Sequence, residues 1–145
     1  MNWKNEAIER LSKYNAMSQA VENIPLELQR LEKNSAGLKS RRMDGIRVRS
    51  SPSRQEDILI GNLIKQEELN RSYENAKLWV NTTEQALAAL TPEEEQILRR
   101  MYISPQRGVV NLLCSELGVE QSSIYRKRDS ALYHFTIALY GIYAQ

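Results

Sequence analysis

The first part of the chain carries apolar residues in alternating steps of three and four, the spacing of a helix with one apolar stripe. The stripe consists of Tyr14, Met17, Val21, Ile24, Leu28 and Leu31, and Ala7 lies seven residues before it. Pro25 interrupts it. Because proline lacks an amide donor and clashes with the preceding turn, we expect a kink or a break at about Asn23 and Ile24 in this helical segment.

A second apolar stripe with the same spacing predicts another long helix, from just after Pro52 to about Leu90. Its seam consists of Leu69, Tyr73, Ala76, Val80, Thr83, Leu87 and Leu90, and the apolar residues that widen its start are Ile58, Leu59, Ile60, Leu63 and Ile64. Two long helices joined by one loop form an antiparallel helical hairpin or the two halves of a dimeric bundle. Stripes this narrow rarely stabilise a monomer, so we expect a homodimer or a higher homo-oligomer.

The segment between the two stripes, residues 35–53, has no helical period and is predicted to be a long basic loop. It contains Gly37, Gly45, Pro52 and five serines. Its five basic residues are Lys39, Arg41, Arg42, Arg47 and Arg49. Loops of this length are usually functional or disordered, so the segment is either a polyanion contact or a plain connector.

After residue 90, strong start and stop signals predict three shorter helices. Thr91 and Glu94 have the spacing of a capping box, and Pro92 suits the first helical position. A cap explains the three acids 93–95 better than a metal site does. Gly118 stands where a left-handed helix end is needed, and Gly141 closes the last helix. The predicted helices cover residues 92–102, 109–117 and 121–140.

The last two of these helices carry the residue pattern of a helix-turn-helix. A small residue, Cys114, allows the helices to cross closely, and Gly118 makes the turn. Three apolar residues set the angle between them: Leu117, Val119 and Ile124. Helix-turn-helix units also occur as packing modules that bind protein, and that alternative stays open here.

Composition narrows the fold class and excludes most catalytic chemistry. With only 6 glycines and 4 prolines among 145 residues, the chain is predicted to be all-α. A single cysteine excludes an intrachain disulfide framework, and the one histidine, His134, has no second histidine or cysteine with which to bind metal. We expect no enzyme activity, no cofactor and no metal site. No apolar run is long enough to span a membrane and no signal-peptide pattern occurs, so we expect a cytoplasmic protein.

The net charge of +2 conceals a marked segregation of charge along the chain. Residues 1–34 are neutral, residues 35–54 carry +5, residues 55–97 carry −6 and residues 98–145 carry +3. Two basic segments separated by an acidic one suit a protein that contacts a polyanion at two places, although solvated surfaces give the same pattern.

Residues 90–139 resemble the promoter-reading carboxy-terminal region of bacterial sigma factors. The resemblance rests on the sequence LTPEEE at its start, on the helix-turn-helix pattern and on Ala131, Leu132 and Phe135 after it. The chain as a whole is similar to small phage transcriptional regulators of Gram-positive bacteria, the ArpU/RinA-like late-gene activators. Those proteins combine a helical first half, a basic loop with an SPS-like end (here residues 51–53) and the same module.

This resemblance implies a long N-terminal antiparallel helical hairpin plus a C-terminal sigma-factor-like helix-turn-helix domain, with a boundary between residues 1–90 and 91–145. It also implies activation of phage late genes alongside host RNA polymerase in the bacterial cytoplasm. Four positions depart from the sigma-factor pattern, and two of them are Ser122 and Ser123, which replace a charged pair. Lys127 replaces a buried aliphatic residue, which predicts a thinner core or a rotated third helix, and Glu120 replaces the usual Thr or Ser cap.

If the third helix enters the major groove of double-stranded DNA, its first two turns face bases and phosphates. Gln121 can read adenine, and Arg126 can read guanine or hold a phosphate. Phosphate contacts are expected from Ser122, Ser123, Tyr125, Lys127, Arg128 and Arg107, and non-specific contacts from the basic loop. The alternative function is a helical phage assembly or DNA-packaging component, similar to a small terminase subunit, with DNA contact secondary.

Overall fold

A computed structural model of the protein describes the backbone of residues 2–43 and 52–141 and the side chains of residues 2–38 and 54–141. Every regular element in these residues is helical, which confirms the all-α prediction. The α-helices are α1 (Trp3–Ser12), α2 (Tyr14–Met43), α3 (Pro52–Ala88), α4 (Pro92–Leu98), α5 (Val109–Leu117) and α6 (Gln121–Tyr140), and a π-helical segment, Arg99–Ile103, follows α4 directly. Within the described residues, no helix is both long enough and apolar enough to cross a membrane.

The helix ends after residue 90 follow from local backbone chemistry. Thr91 accepts a hydrogen bond from the backbone N–H of Glu94, whose carboxylate in turn accepts from the backbone of Thr91, so the predicted capping box is present. Gly118 has φ 66° and ψ 35°, a left-handed conformation that favours glycine, and Gly141 also has a positive φ. The predicted bounds of α5 and α6 are confirmed.

The first half of the chain departs from the prediction in two places. The prediction beside Pro25 was a kink or a break; Pro25 lies inside α2, which continues to Met43, so a break is wrong. Residues 35–43 are therefore helical, which corrects the loop prediction for that part of the segment. Packing explains both results: Ile24 and Leu31 are buried on either side of the proline, and Ser35 accepts a hydrogen bond from Asn62 of α3. Residues 44–51 lie outside the described residues.

Contacts divide the chain into two compact units. The terminal unit comprises residues 1–17 and 78–145, and the central unit comprises residues 18–77. These bounds differ from a division at residue 90, because α1 and the last turns of α3 pack with the chain after residue 90. The indole of Trp79 donates a 3.1 Å hydrogen bond to the Arg10 carbonyl, and the Arg10 guanidinium lies 4.4 Å from the centroid of the indole ring.

The terminal unit contains the main apolar core. Its buried residues come from α1, α3, α4, the π-helical segment and α6, and they are Ala7, Leu11, Ala86, Leu87, Leu98, Ile103, Ala131, Leu132 and Phe135. The side-chain amide of Asn15 also donates a 2.6 Å hydrogen bond to the carbonyl of Ile103. The beginning of the chain is therefore an integral part of the core that supports α6.

In the central unit, α2 and α3 face each other with opposite chain directions. Leu38 lies near Ile58 and Ser35 contacts Asn62, so residue numbers rise along one helix as they fall along the other. The predicted seam residues of this unit are buried or half-buried. At the start of α3, by contrast, Ile60, Leu63 and Ile64 are each more than half exposed.

Candidate nucleic-acid interface

A second apolar cluster holds α5 and α6 against α4. Ile97, Leu113 and Ile124 are fully buried in it, one from each helix. The partly buried side chains packed around them are Met101, Val109, Val110, Cys114, Leu117 and Val119. All the apolar residues and the small residue of the predicted turn pattern therefore meet in one cluster, as the pattern requires.

The turn between α5 and α6 is closed by backbone hydrogen bonds. The N–H groups of Gly118 and Val119 both donate to the carbonyl of Cys114, at 2.9 and 3.2 Å. On the outer side of α5, the carboxylate of Glu116 accepts hydrogen bonds from Arg100 and from Gln96, the latter at 3.0 Å. The position of α5 relative to α4 is thus set by apolar packing on one side and by charged groups on the other.

The first turns of α6 present a polar face to solvent. Gln121, Ser122, Tyr125 and Arg126 are exposed, whereas Ile124 on the opposite face is fully buried. This orientation is the one predicted from the spacing of the residues. Glu120 precedes the helix in an extended conformation and makes no side-chain capping hydrogen bond, in keeping with the weak cap expected of it.

Arg126 is the most available cation on this face. Its guanidinium donates one long hydrogen bond, 3.3 Å, to the hydroxyl of Ser123. In the part of the chain that the structure describes, it makes no ion pair with a carboxylate. A guanidinium in this state can take a base edge or a phosphate without first breaking a salt bridge.

The two basic residues after Arg126 are engaged within the protein. Lys127 Nζ lies 2.5 Å from Glu93 Oε1 of α4, so this lysine has an acidic partner within the protein. Arg128 pairs with Asp129 at 3.0 Å and lies over the ring of Tyr125. Both were predicted to contact phosphate, and the structure gives both an internal partner.

Asp129 connects α6 to the first helix of the chain. Its carboxylate pairs with Lys4 Nζ at 3.0 Å as well as with Arg128. Burial acts to raise the pKa of Asp129, but the hydrogen bonds from Lys4 and Arg128 outweigh it and hold that pKa below its ordinary value. The carboxylate therefore stays ionised and neutralises positive charge beside the exposed face.

A second polar link joins α6 to the start of α4. His134 Nδ1 lies 2.5 Å from Glu94 Oε2, the same carboxyl group that completes the capping box. Burial acts to raise the pKa of Glu94, whereas hydrogen bonds from His134 and Thr91 lower it, with a net decrease. Within the described residues, no group of three or more His, Cys, Asp or Glu side chains is placed to hold a metal ion.

Sequence reasoning missed both links to the acids of α4. The available signal was the seven-residue separation of Lys127 and His134, which places the two side chains on one side of α6, two turns apart. The two adjacent acids at the start of α4 then each receive one side chain from α6, Lys127 on Glu93 and His134 on Glu94. A prediction restricted to local capping assigned these acids to their own helix alone.

The remaining predicted contacts lie elsewhere. Arg107 is exposed in the turn before α5, where it was placed from the sequence. Lys39, Arg41 and Arg42 lie in the last turns of α2, where the structure describes the backbone only. Arg47 and Arg49 lie outside the described residues. The predicted DNA-contacting residues of α6 therefore lie together in its first turns. The role of the basic segment stays a prediction.

The chain matches no protein-family model, and no curated protein and no solved structure matches it significantly. The resemblance to sigma factors and to phage late-gene activators accordingly remains a prediction from residue patterns.

Proposed function

We propose that this protein is a sequence-specific DNA-binding transcription regulator, with no enzymatic activity, that reads double-stranded DNA with α6. The observation that carries the proposal is the polar, exposed first part of α6, supported from behind by the cluster of Ile97, Leu113 and Ile124. In this proposal α5, the Gly118 turn and α6 form a helix-turn-helix, and α6 is the recognition helix.

The side chains on the exposed face have the chemistry that reading DNA requires. The amide of Gln121 matches the donor and acceptor of adenine in the major groove, and the guanidinium of Arg126 matches guanine or a phosphate. Ser122 and Tyr125 offer hydroxyl donors to the backbone phosphates, and Arg107 offers a cation beside α5. Base contacts would give specificity, and phosphate contacts would position the helix.

The biological role rests on the resemblance alone. It favours a phage-encoded late-gene activator that acts alongside host RNA polymerase in the bacterial cytoplasm. Dimerisation or higher self-association is supported by the exposed apolar side chains of Ile60, Leu63 and Ile64 in the central unit. The basic segment, residues 35–53, would add non-specific phosphate contacts.

A DNA-packaging or assembly component is the second candidate, and the same exposed apolar side chains favour it. The two functions predict oligomers of different size and different sequence dependence of DNA binding. A small oligomer such as a dimer, with tight and sequence-dependent DNA binding, supports the regulator. A uniform ring of about eight or more subunits that binds DNA without sequence preference supports the assembly component, and light scattering coupled to size-exclusion chromatography distinguishes them.

The regulator is tested by selection of genomic fragments with the purified protein at about physiological salt, followed by sequencing. We expect enrichment of one short site. The Arg126→Ala variant should then bind that site about 5- to 150-fold more weakly, corresponding to the roughly 1–3 kcal/mol of a specific base contact. Arg71→Ala, which removes the same charge from an exposed position of α3, is the matched control.

Two results would contradict this assignment. Uniform retention of all fragments would exclude sequence-specific reading. An equal loss of affinity in the Arg126→Ala and Arg71→Ala variants would mean that net charge, rather than a placed guanidinium, determines binding. Circular dichroism of both variants should match the wild type, because neither side chain is buried.

A further inference from the structure

Two open grooves adjoin along α6, and they share the side chains of Lys127 and Ser130. The first, about 290 Å³, is lined by Ser123, Arg126, Lys127 and Ser130. The second, about 570 Å³, extends to the start of α4 and is lined by Thr91, Pro92, Glu93, Glu94, Lys127, Ser130 and His134. Lys127 thus stands at the boundary between two surfaces of different chemistry.

The first groove has the composition of a phosphate contact. It offers two hydroxyl groups and two cations, no carboxylate lines it, and it continues from the exposed face that bears Arg126. Arginine, lysine and serine side chains are among the groups that donate hydrogen bonds to DNA phosphates. Ser130 is a member of this groove that the sequence pattern did not single out.

The second groove contains the carboxylate of Glu93, which competes with phosphate for Lys127, a side chain that also lines the first groove. Glu93 Oε1 lies 2.5 Å from Lys127 Nζ, and both side chains are about two-fifths exposed. An exposed ion pair of this kind is weak and screened by salt, so a phosphate group can displace the carboxylate when it is held in place by other contacts. A phosphate without those other contacts does not displace the carboxylate. Lys127 then stays paired with Glu93 and is not available to the phosphate.

We propose that Glu93 limits non-specific DNA binding by competing with phosphodiester groups for Lys127 in the groove of Ser123, Arg126 and Ser130. The inference rests on the proposed DNA-binding function and adds a residue that tunes its specificity. Loss of the Glu93 charge should release Lys127 to contact phosphate on any sequence. The number of phosphates neutralised should therefore increase by one, without a change in the base-reading side chains.

The salt dependence of binding measures this number. We would titrate a fluorescent duplex of non-specific sequence with the full chain at several salt concentrations, and compare the wild type with Glu93→Gln, Lys127→Gln, the double variant and Glu67→Gln. Glu67 is an exposed acid of α3, so its substitution changes the net charge equally at a distant position in the sequence. Circular dichroism checks that each variant is folded.

We expect the slope of log affinity against log salt to become steeper by about 0.9 in Glu93→Gln, because each additional phosphate contact contributes about that amount. Its affinity should then fall about threefold more than that of the wild type between roughly 50 and 200 mM salt. Lys127→Gln alone should change the slope little. In the double variant the additional slope should disappear, and Glu67→Gln should retain the wild-type slope.

Other outcomes would overturn the inference in distinguishable ways. Higher affinity of Glu93→Gln with an unchanged slope, or an equally steep slope in the double variant, would mean that Glu93 merely repels DNA. Identical behaviour of Glu93→Gln and Glu67→Gln would remove any special role for Glu93 while leaving DNA binding in place. Failure of the wild-type chain to bind any duplex would overturn the proposed function itself and this inference with it.

Discussion

The terminal and central units bury very different amounts of apolar side chain. In the terminal unit, five helices and the π-helical segment contribute to two clusters of buried residues, with Phe135 and Leu11 completely enclosed. In the central unit, where two helices face each other, the buried apolar residues among the side chains that the structure describes are Ile24, Leu31 and Ala76. Leu26, Ile60 and Leu63 of this unit are all more than half exposed.

This difference in burial explains why similar apolar stripes hold a helix in place in the terminal unit but leave apolar side chains exposed in the central unit. A helix that packs against several others buries side chains on more than one side. A small change in its orientation would therefore leave cavities in the core. Two helices in contact bury one narrow seam each and tolerate displacement along it. The terminal unit can therefore hold α6 at a defined angle, whereas the central unit has apolar surface left for a second chain.

The largest expected effect is from Phe135→Ala in the terminal unit. Because the side chain is completely buried, its truncation should lower the free energy of unfolding by about 3–5 kcal/mol, measured by denaturant titration. Tyr133→Ala is the control on the same helix, because Tyr133 is exposed. The ring of Tyr133 makes one edge contact, with the ring of Trp3. Equal losses in the two variants would show that Phe135 does not anchor this core.

A smaller effect is expected from Leu31→Ala in the central unit. Leu31 is nearly fully buried, but it has neighbours from only two helices, so we expect a loss of about 2 kcal/mol, at the lower end for such truncations. Hydrogen exchange should show faster exchange in residues 18–38 and 54–77. Leu26→Ala, at an exposed position of the same helix, should change little. An equal loss of protection in the terminal unit would contradict the separation of the two units.

The smallest effect concerns the polar links that supplement the core of the terminal unit. The pKa of Glu94 is lower in the folded protein than its ordinary value, so its ionised form stabilises the fold above about pH 4 and this stabilisation is lost as the pH falls through the lowered value. Glu94→Gln keeps an acceptor for the capping box but removes the charge, so it should lower the free energy of unfolding near pH 6 by about 0.3–1 kcal/mol, the size of a carboxylate's interaction with a helix N-terminus.

At a pH low enough to protonate Glu94 in the folded protein, the wild type and Glu94→Gln should unfold at nearly the same temperature. Glu67→Gln, at an exposed position in the central unit, serves as the control and should follow the wild type at both pH values. A constant difference between Glu94→Gln and the wild type across this pH range would mean that the carboxylate charge of Glu94 does not contribute, and that shape alone explains the loss.

The sequence alone determined most helix boundaries after residue 90. The exception is the end of the first of these helices, predicted at residue 102, because the α-helix ends at Leu98 and a π-helical segment follows it. Thr91 with Glu94 starts α4, and Gly118 and Gly141 end α5 and α6 at the predicted positions. Such signals are readable because they involve the backbone of a few neighbouring residues and depend little on distant parts of the chain. The exposed face of α6 was predictable for the same reason, since helical spacing alone places Ile124 opposite Arg126.

The tertiary structure decided whatever depends on contacts between distant residues. The continuation of α2 through Pro25 and past Ser35, the inclusion of α1 in the terminal unit, and the pairing of Lys127 with Glu93 are of this kind. Each results from packing or charge between segments far apart in the chain, and local propensity is weak enough for such contacts to override it. The local pattern therefore predicted which residues α6 exposes, whereas a long-range contact determined that Lys127 is already paired.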